Sequence, residues 1–517
     1  MIKKGFNVGW FVIVICLLQA CSKQSVDKPL SGKNFSLFEF KIAQNILLAQ
    51  DITCDIQGDT IFATAFSGTD LTGLKAAFSF EGAEVTVSGQ VQSSGQTNLN
   101  FSTPVTYTIK ALDGTTRQFT VKFVDTNIPT AYISTNNVAV ESKDNYIAGY
   151  MKIKGRLSGD SLFSGAMEIR GRGNSTWQMP KKPYKIKLNK KAGLLSMNES
   201  KQWILLANYA DKSLLRNETA FELSRRLALA YTPAGKFVDV ILNGSYIGNY
   251  ELVEQIDVGK NKVNITEQDA ATTTLPGISG GYLVEVDGFA RDEAVNFNTS
   301  HNMLVSVHYP GDEDINETQR NYIGSWFNGF ESSLFAANFD DPLNGYKRYF
   351  DISSYVNFYL VNEIMGNPDI FWSSYMYKNR NNDTIYTGPV WDFDVAANND
   401  ERLGDAVNKL MLDAAHEPKQ WINRLMEDKA FRNKVQYRWN QIKVTQLGSL
   451  TTFIDELSAR LAASQKKNFT RWPILGEKVY RNLQAAGSYP GEVNYLKNYL
   501  SNRIAWLDTQ FNGARFD

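Results

Sequence analysis

The sequence predicts a mixed α+β protein: an all-β immunoglobulin-like sandwich, then a larger α+β domain whose last part is helical. Three observations carry this. Residues 34 to about 125 alternate apolar and polar side chains in short runs between turn residues, the period-two pattern of half-buried strands. From residue 131 such runs mix with apolar residues at three- and four-residue steps. From about Glu417 only the helical spacing remains. A chain of 517 residues is also too long for one core, so several domains are expected.

In the first domain, 34–125, FSLFEFKI, GDTIFATAF, AAFSFEG, AEVTVSGQVQ and VTYTIKALDGTTRQFTVKFV supply six or seven short strands. Asp113-Gly114 marks a hairpin turn. That hairpin resembles small β-sandwich modules that precede catalytic domains in surface proteins of Bacteroidetes. DTNIPTA reads as a linker. In the second domain, 131–517, AYISTN, YIAGYMKIKG, AMEIRGRGNSTW and PYKIKLNKK read as strands. Lys212 to Ala230 reads as a helix. KFVDVILNGSYIGNYELVEQID is a hairpin turning at Asn243-Gly244, and GGYLVEVD a further strand. Asp351 to Asn367 reads as a helix with Asp351 at its N-cap, followed by the hairpin SSYMYK and TIYTGPVWDFD. Three amphipathic stretches, beginning at QWINRL, LTTFID and YPGEVN, complete the helical part.

Composition narrows the function. There are 54 basic and 54 acidic side chains and no net charge, so no nucleic-acid footprint is expected. Lys3 and Lys4 precede an apolar run, Val8 to Leu18, and then LLQAC, which resembles a bacterial lipobox. The expectation is a signal segment over 1–20, a lipid on Cys21, a tether over 21–33, and an outer-membrane or cell-surface location. Cys16 falls in the signal, which leaves Cys54 alone in the mature chain; no internal disulfide and no cysteine-ligated zinc site are expected. His301, His308 and His416 are scattered without motif spacing, which disfavours a Ser-His-Asp triad.

Chemistry concentrates in Val361 to Asp394. A helix ends at Gly366-Asn367-Pro368, Asp369 follows on a loop, and Asp392 and Asp394 flank Phe393 after a hairpin. Three carboxylates in one helix-loop-hairpin unit suit phosphoryl transfer, where one acid orients the attacking hydroxyl and another holds Mg²⁺ against nucleotide phosphates. A carboxylate-pair glycosidase also needs two acids, about 5–10 Å apart across a sugar cleft, but the motif order gives no reason to expect it.

RGRGNSTW…PKKPYKIKL, YADKSLLRN, IGNYELVEQID, GGYLVEVD and the GNPD…YMYK…GPVWDFD block occur together in the order found in the CotH kinase family, and residues 131 to about 515 resemble it. The resemblance implies a two-lobed kinase-like domain that uses ATP with Mg²⁺ or Mn²⁺ and phosphorylates Ser or Thr of a partner protein. It implies that Asp369 is the catalytic-loop aspartate, that Asp392 binds metal, and that Asp394 supports it. Lys187 would be the nucleotide-binding lysine, although Lys185 shares its strand face and either can line the cleft. Glu254 would pair with that lysine, with Glu285 the competing choice. Arg170 and Asn174 would contact phosphate. Ser374 stands five residues after Asp369, where active members carry a metal-binding asparagine. Asp211, Arg216 and Asn217 would cap the following helix or join the site. The competing reading is a non-catalytic kinase-like surface protein that binds a protein or glycan partner.

Overall fold

The computed structural model describes residues 30–155 and 161–516. The expected signal segment, Cys21 and the tether as far as residue 29 lie outside the described residues.

The first region is all β. Phe35–Phe40 pairs with Ile52–Thr53 and Ala77–Phe80 in a three-stranded sheet. A six-stranded sheet faces it, with Thr116–Asp125 between Val105–Lys110 and Thr60–Ala65. The pairing with Thr60–Ala65 is parallel, which a chain of hairpins cannot supply. Alternation explains the packing: Phe35, Phe38 and Phe40 point from one sheet, and Tyr107, Ile109, Phe119 and Val121 from the other, into one core. Phe38 meets Tyr107 edge to face at 5.1 Å, as aromatic quadrupoles prefer. The Asp113-Gly114 turn forms as expected, with Asp113 Oδ1 accepting from Thr115 N at 2.9 Å and Gly114 at φ 86°.

The strands that follow close into a seven-stranded barrel, a closure that no local pattern announces. Its order is Thr130–Ser134, Ile147–Lys154, Ser161–Gly171, Tyr184–Ala192, Ser200–Leu206, Ser245–Glu254, Gly235–Leu242. Parallel pairing of Thr130–Ser134 with Gly235–Leu242 completes the ring. Every second residue fills the interior, including Ile133, Met151, Ile169, Ile186, Trp203, Val240 and Leu252. The other face of Ser200–Leu206 and its neighbours is apolar too, because Ile204, Phe237 and Val253 pack against the rest of the molecule. The first region docks on the barrel through Phe66, whose ring lies 4.4 Å from that of Tyr246, and through Tyr132, whose hydroxyl donates to Ser67 O at 2.8 Å.

Beyond the barrel lies a five-stranded antiparallel sheet ordered Asn296–Asn298, Leu304–Tyr309, Tyr282–Val286, Ser374–Lys378, Ile385–Thr387. Helix Glu317–Leu334 packs nearby under an Asn316/Gln319 capping box that the sequence reading overlooked. Helix Ile352–Met365 runs through the centre, apolar almost all round and buried accordingly. Asp351 caps it, accepting from Ser354 N at 2.6 Å, and Gly366 ends it in the left-handed conformation at φ 56°. A Cβ at Gly366 would lie 2.1 Å from the Tyr499 hydroxyl, so glycine is required twice over. Of the C-terminal helices, Ala462–Arg471 packs on the barrel strand Ser245–Glu254, Leu450–Arg460 packs on Tyr489–Phe511, and Lys429–Thr445 and Tyr489–Phe511 pack on helix Ile352–Met365. Arg503 and Glu363, neither accessible to solvent, pair at 2.7 Å between them. These elements establish a mixed α+β fold with an all-β first region and a helical last part; they do not establish a two-lobed kinase arrangement.

Candidate functional site

The site forms where the loop after Ile385–Thr387 returns beneath the C-terminal end of helix Ile352–Met365. Val390, Trp391 and Phe393 of this loop enter the core, Asp394 is buried beside them, and Asp392 is exposed. The loop is pinned from two directions. Ala397 N donates to Met365 O at 2.6 Å, which brings the acids to the helix end that carries Asp369. Arg216, fully buried, donates to Ala396 O at 2.9 Å and to Ala397 O at 3.3 Å. Asn217 Oδ1 accepts from Phe393 N, between the two acids, at 2.8 Å. The YADKSLLRN motif therefore clamps the acid loop. Its Asp211 accepts from Arg216 N at 2.8 Å and pairs with the Arg216 guanidinium at 2.5 Å, capping helix Arg216–Arg226 and fixing the clamp together.

Asp392 and Asp394 differ from the other acids around them. Neither carboxylate accepts a hydrogen bond from any described residue, whereas Asp211 and Asp400 are fully engaged. Burial pushes the Asp394 carboxyl well above its ordinary range, and the charges of Asp392, Asp211 and Asp369 add to this. Asp392 opens to solvent but is walled by protein on its other sides. Its pKa rises to about 6, mainly through that enclosure; Arg172 opposes the rise, and Asp369 and Glu285 reinforce it. The backbone at Asp392 sits in the left-handed region at φ 68°, which Asp and Asn tolerate better than most residues. A buried carboxylate without a donor, as at Asp394, is costly as an anion unless a cation joins it.

One cation of the barrel faces these acids. Arg172, in the loop after Ser161–Gly171, lies 5.6 Å over the Trp391 ring, and Asp392 is its strongest electrostatic partner. Lys185 sits on the adjoining strand, where burial and the positive neighbours Arg170 and Arg172 lower its pKa to about 8. Glu285 Oε2 lies 2.6 Å from His308 Nε2 beside the acids and acts on both Arg172 and Asp392.

Asp369 is about one-third exposed. Its Oδ1 lies 2.8 Å from His416 Nδ1 and its Oδ2 3.2 Å from an Arg402 nitrogen. Arg402 in turn grips the buried Asp400. Among the described residues, no three His, Cys, Asp or Glu side chains converge to hold a metal ion on their own.

Several expected site residues lie elsewhere. Lys187 pairs with Glu168 at 3.5 Å on the barrel surface and lies 5.5 Å over the Tyr146 ring. Glu254 does not pair with it; its Oε2 accepts from Tyr231 at 3.1 Å and from Ala234 N at 3.2 Å. Arg170 donates to the Lys143 carbonyl and lies 5.0 Å over Tyr146, directed along the barrel wall. Asn174 is exposed and meets Lys143 at 3.5 Å. Ser374 lies in a buried strand and donates its hydroxyl to Ile370 O at 2.7 Å, which holds the loop turn. Cys21 lies outside the described residues. Sequence reasoning missed Arg172, Arg402 and His416. Arg172 sat unremarked inside the quoted GRGNSTW, and the other two lie in loops with no pattern of their own.

The model described as CotH kinase protein matches residues 169–507. The model described as SGBP, N-terminal, matches residues 37–123. No curated protein matches the chain. A solved structure from Bacteroides thetaiotaomicron, presented as a candidate glycoside hydrolase, is similar at 14% identity over 45% of this chain and 56% of that one. Its TM-score of 0.13 carries no argument about fold or reaction.

Proposed function

The chain belongs to the CotH kinase protein family, and on that premise we propose that it is a lipid-anchored kinase that transfers the γ-phosphoryl group of ATP to a serine or threonine of a surface or secreted protein. The observation that carries this reading is the pair Asp392 and Asp394, one open to solvent and one buried, neither with a protein donor, with Arg172 acting on both and Lys185 on the strand beyond it. Hard oxygen ligands of this kind suit Mg²⁺ or Mn²⁺, which commonly takes one or two protein carboxylates and completes its shell with phosphate oxygens and water. Asp392 and Asp394 would hold that ion, whose contribution is to neutralise charge on the phosphates. Arg172 and Lys185 would bind the phosphate oxygens from the barrel side. Asp369 would face the acceptor hydroxyl from the helix side. The barrel and the helical part would then form the two walls of the nucleotide cleft.

Among the described residues no helix is long and apolar enough to cross a membrane. Cys21 would carry the lipid that holds the protein at the cell surface or outer membrane.

Thermal melting of the full-length chain, with and without ATP and Mg²⁺ or Mn²⁺, tests the reading. A ligand that binds only the folded state, at 100 times its Kd, adds roughly 2.7 kcal/mol. An upward shift that needs both nucleotide and metal is expected. No shift at millimolar nucleotide would replace the kinase with a protein- or glycan-binding surface protein on the same fold.

A further inference from the structure

We propose that the proton acceptor for phosphoryl transfer is His416 Nε2, with Asp369 holding the imidazole as the second member of an Asp-His dyad. The inference rests on the kinase reading and deepens it at one atom.

The geometry is specific. His416 Nδ1 lies 2.8 Å from Asp369 Oδ1, and His416 N donates to Pro368 O at 2.9 Å, so ring and backbone are both tied to the Asp369 loop. A carboxylate can only accept, which asks for the proton on Nδ1; Arg402, which can only donate, reaches the same nitrogen at 3.3 Å and asks for the opposite, and the shorter 2.8 Å contact to Asp369 decides for Nδ1–H. The neutral ring then presents a lone pair at Nε2, which has no partner among the described residues. The side chain is 33% exposed. Arg402 completes the arrangement. It approaches Nδ1 at 3.3 Å but binds Asp369 Oδ2 at 3.2 Å and grips the buried Asp400, so its charge serves the two carboxylates. The charged groups around the ring are thus Asp369, Arg402 and, through Arg402, Asp400, with Glu417 next in the chain and Asp392 and Asp394 acting on Asp369.

Both Asp369 oxygens are already engaged, whereas the imidazole keeps a lone pair at Nε2, and imidazole is the side chain most often used as a general base. In the step, the acceptor O–H bond breaks and its proton passes to Nε2. The acceptor oxygen bonds the γ-phosphorus as the bond from that phosphorus to the bridging oxygen breaks, and the electron pair leaves with ADP. The imidazolium so formed is stabilised by the Asp369 carboxylate.

The chain has three histidines, so ring-nitrogen NMR can resolve each, with His301→Gln, His308→Gln and His416→Gln as assignments. The expected result at pH 8 is an Nδ1-protonated His416 that loses this tautomer preference in Asp369→Asn. With ATP and Mg²⁺, His416→Gln should retain the nucleotide-dependent melting shift, lose roughly 100-fold or more in turnover, whether the phosphoryl group goes to protein or water, and lose the acid limb of the rate profile. An Nε2-protonated ring, or a His416→Gln rate and pH profile equal to the parent's, overturns the dyad. Absence of the nucleotide shift in the parent itself defeats the underlying kinase reading and the dyad's role with it. The melting assay and the NMR therefore tell the two failures apart.

Discussion

Replacing Asp392 with Asn isolates the energetic tension in the acid loop. Asn is the apt substitution because the backbone there has φ 68°, where Ala would add a penalty of about 1–2 kcal/mol unrelated to charge. The carboxyl is raised from 3.8 to about 6 in the folded chain, mainly by enclosure, with Asp369 and Glu285 adding to it. A raised acid binds its proton more tightly when folded, so stability falls as pH climbs from about 4 to about 6 and stays at the lower level above. A rise from 3.8 to about 6 corresponds to roughly 3 kcal/mol. Asp392 opens to solvent, and screening reduces that to about 1 kcal/mol. Urea unfolding at pH 4 and pH 8 reads the difference directly. The variant should match the parent at pH 4 and exceed it by about 1 kcal/mol at pH 8, and adding ATP with Mg²⁺ should reverse the order, because only the ionised parent holds the cation well. A variant less stable than the parent at pH 8 without ligand would refute the claim that this carboxylate is held at a cost.

The two lysines of one strand should separate in a nucleotide titration: Lys185→Met should weaken ATP binding about tenfold or more, while Lys187→Met, which breaks only the exposed pair with Glu168, should leave it within twofold. Equal effects would show that the barrel face is not oriented as described. Arg216→Met strands the buried Asp211 and frees two loop carbonyls, so urea unfolding should show a loss of about 3–5 kcal/mol. A loss below 1 kcal/mol would mean that the clamp is not structural.

The strands, the caps and the acid positions were legible because each has a local cause. Alternation in Tyr184, Ile186 and Leu188 put three side chains into the barrel, Asp351 capped its helix, and Gly366 ended it. What escaped was non-local. The ring closes by pairing Thr130 with Asp239, more than a hundred positions apart, and no period in the sequence encodes that. Lys185 and Lys187 were indistinguishable by alternation; the neighbours across the sheet, Arg170 and Glu168, separate them. Ser374 stood at the spacing expected of a ligand, but its strand turned the hydroxyl onto Ile370 O. His416 has no motif spacing to single it out, because its partner Asp369 is reached only through the fold. A prolonged helical pattern from Lys212 resolved into a shorter helix, Arg216–Arg226, because Asp211 draws the preceding residues into a turn.

Ring closure also decides where the chain can be cut. The family match begins at residue 169, near the end of the third barrel strand. A fragment starting there would lack Thr130–Ser134 and Ile147–Lys154 and would expose the open edges of Tyr184–Ala192 and Gly235–Leu242. Unpaired edges of this kind template aggregation. The smallest piece with a complete set of barrel-strand partners begins near Ile128, and a fragment with an intact barrel has to be designed from that boundary.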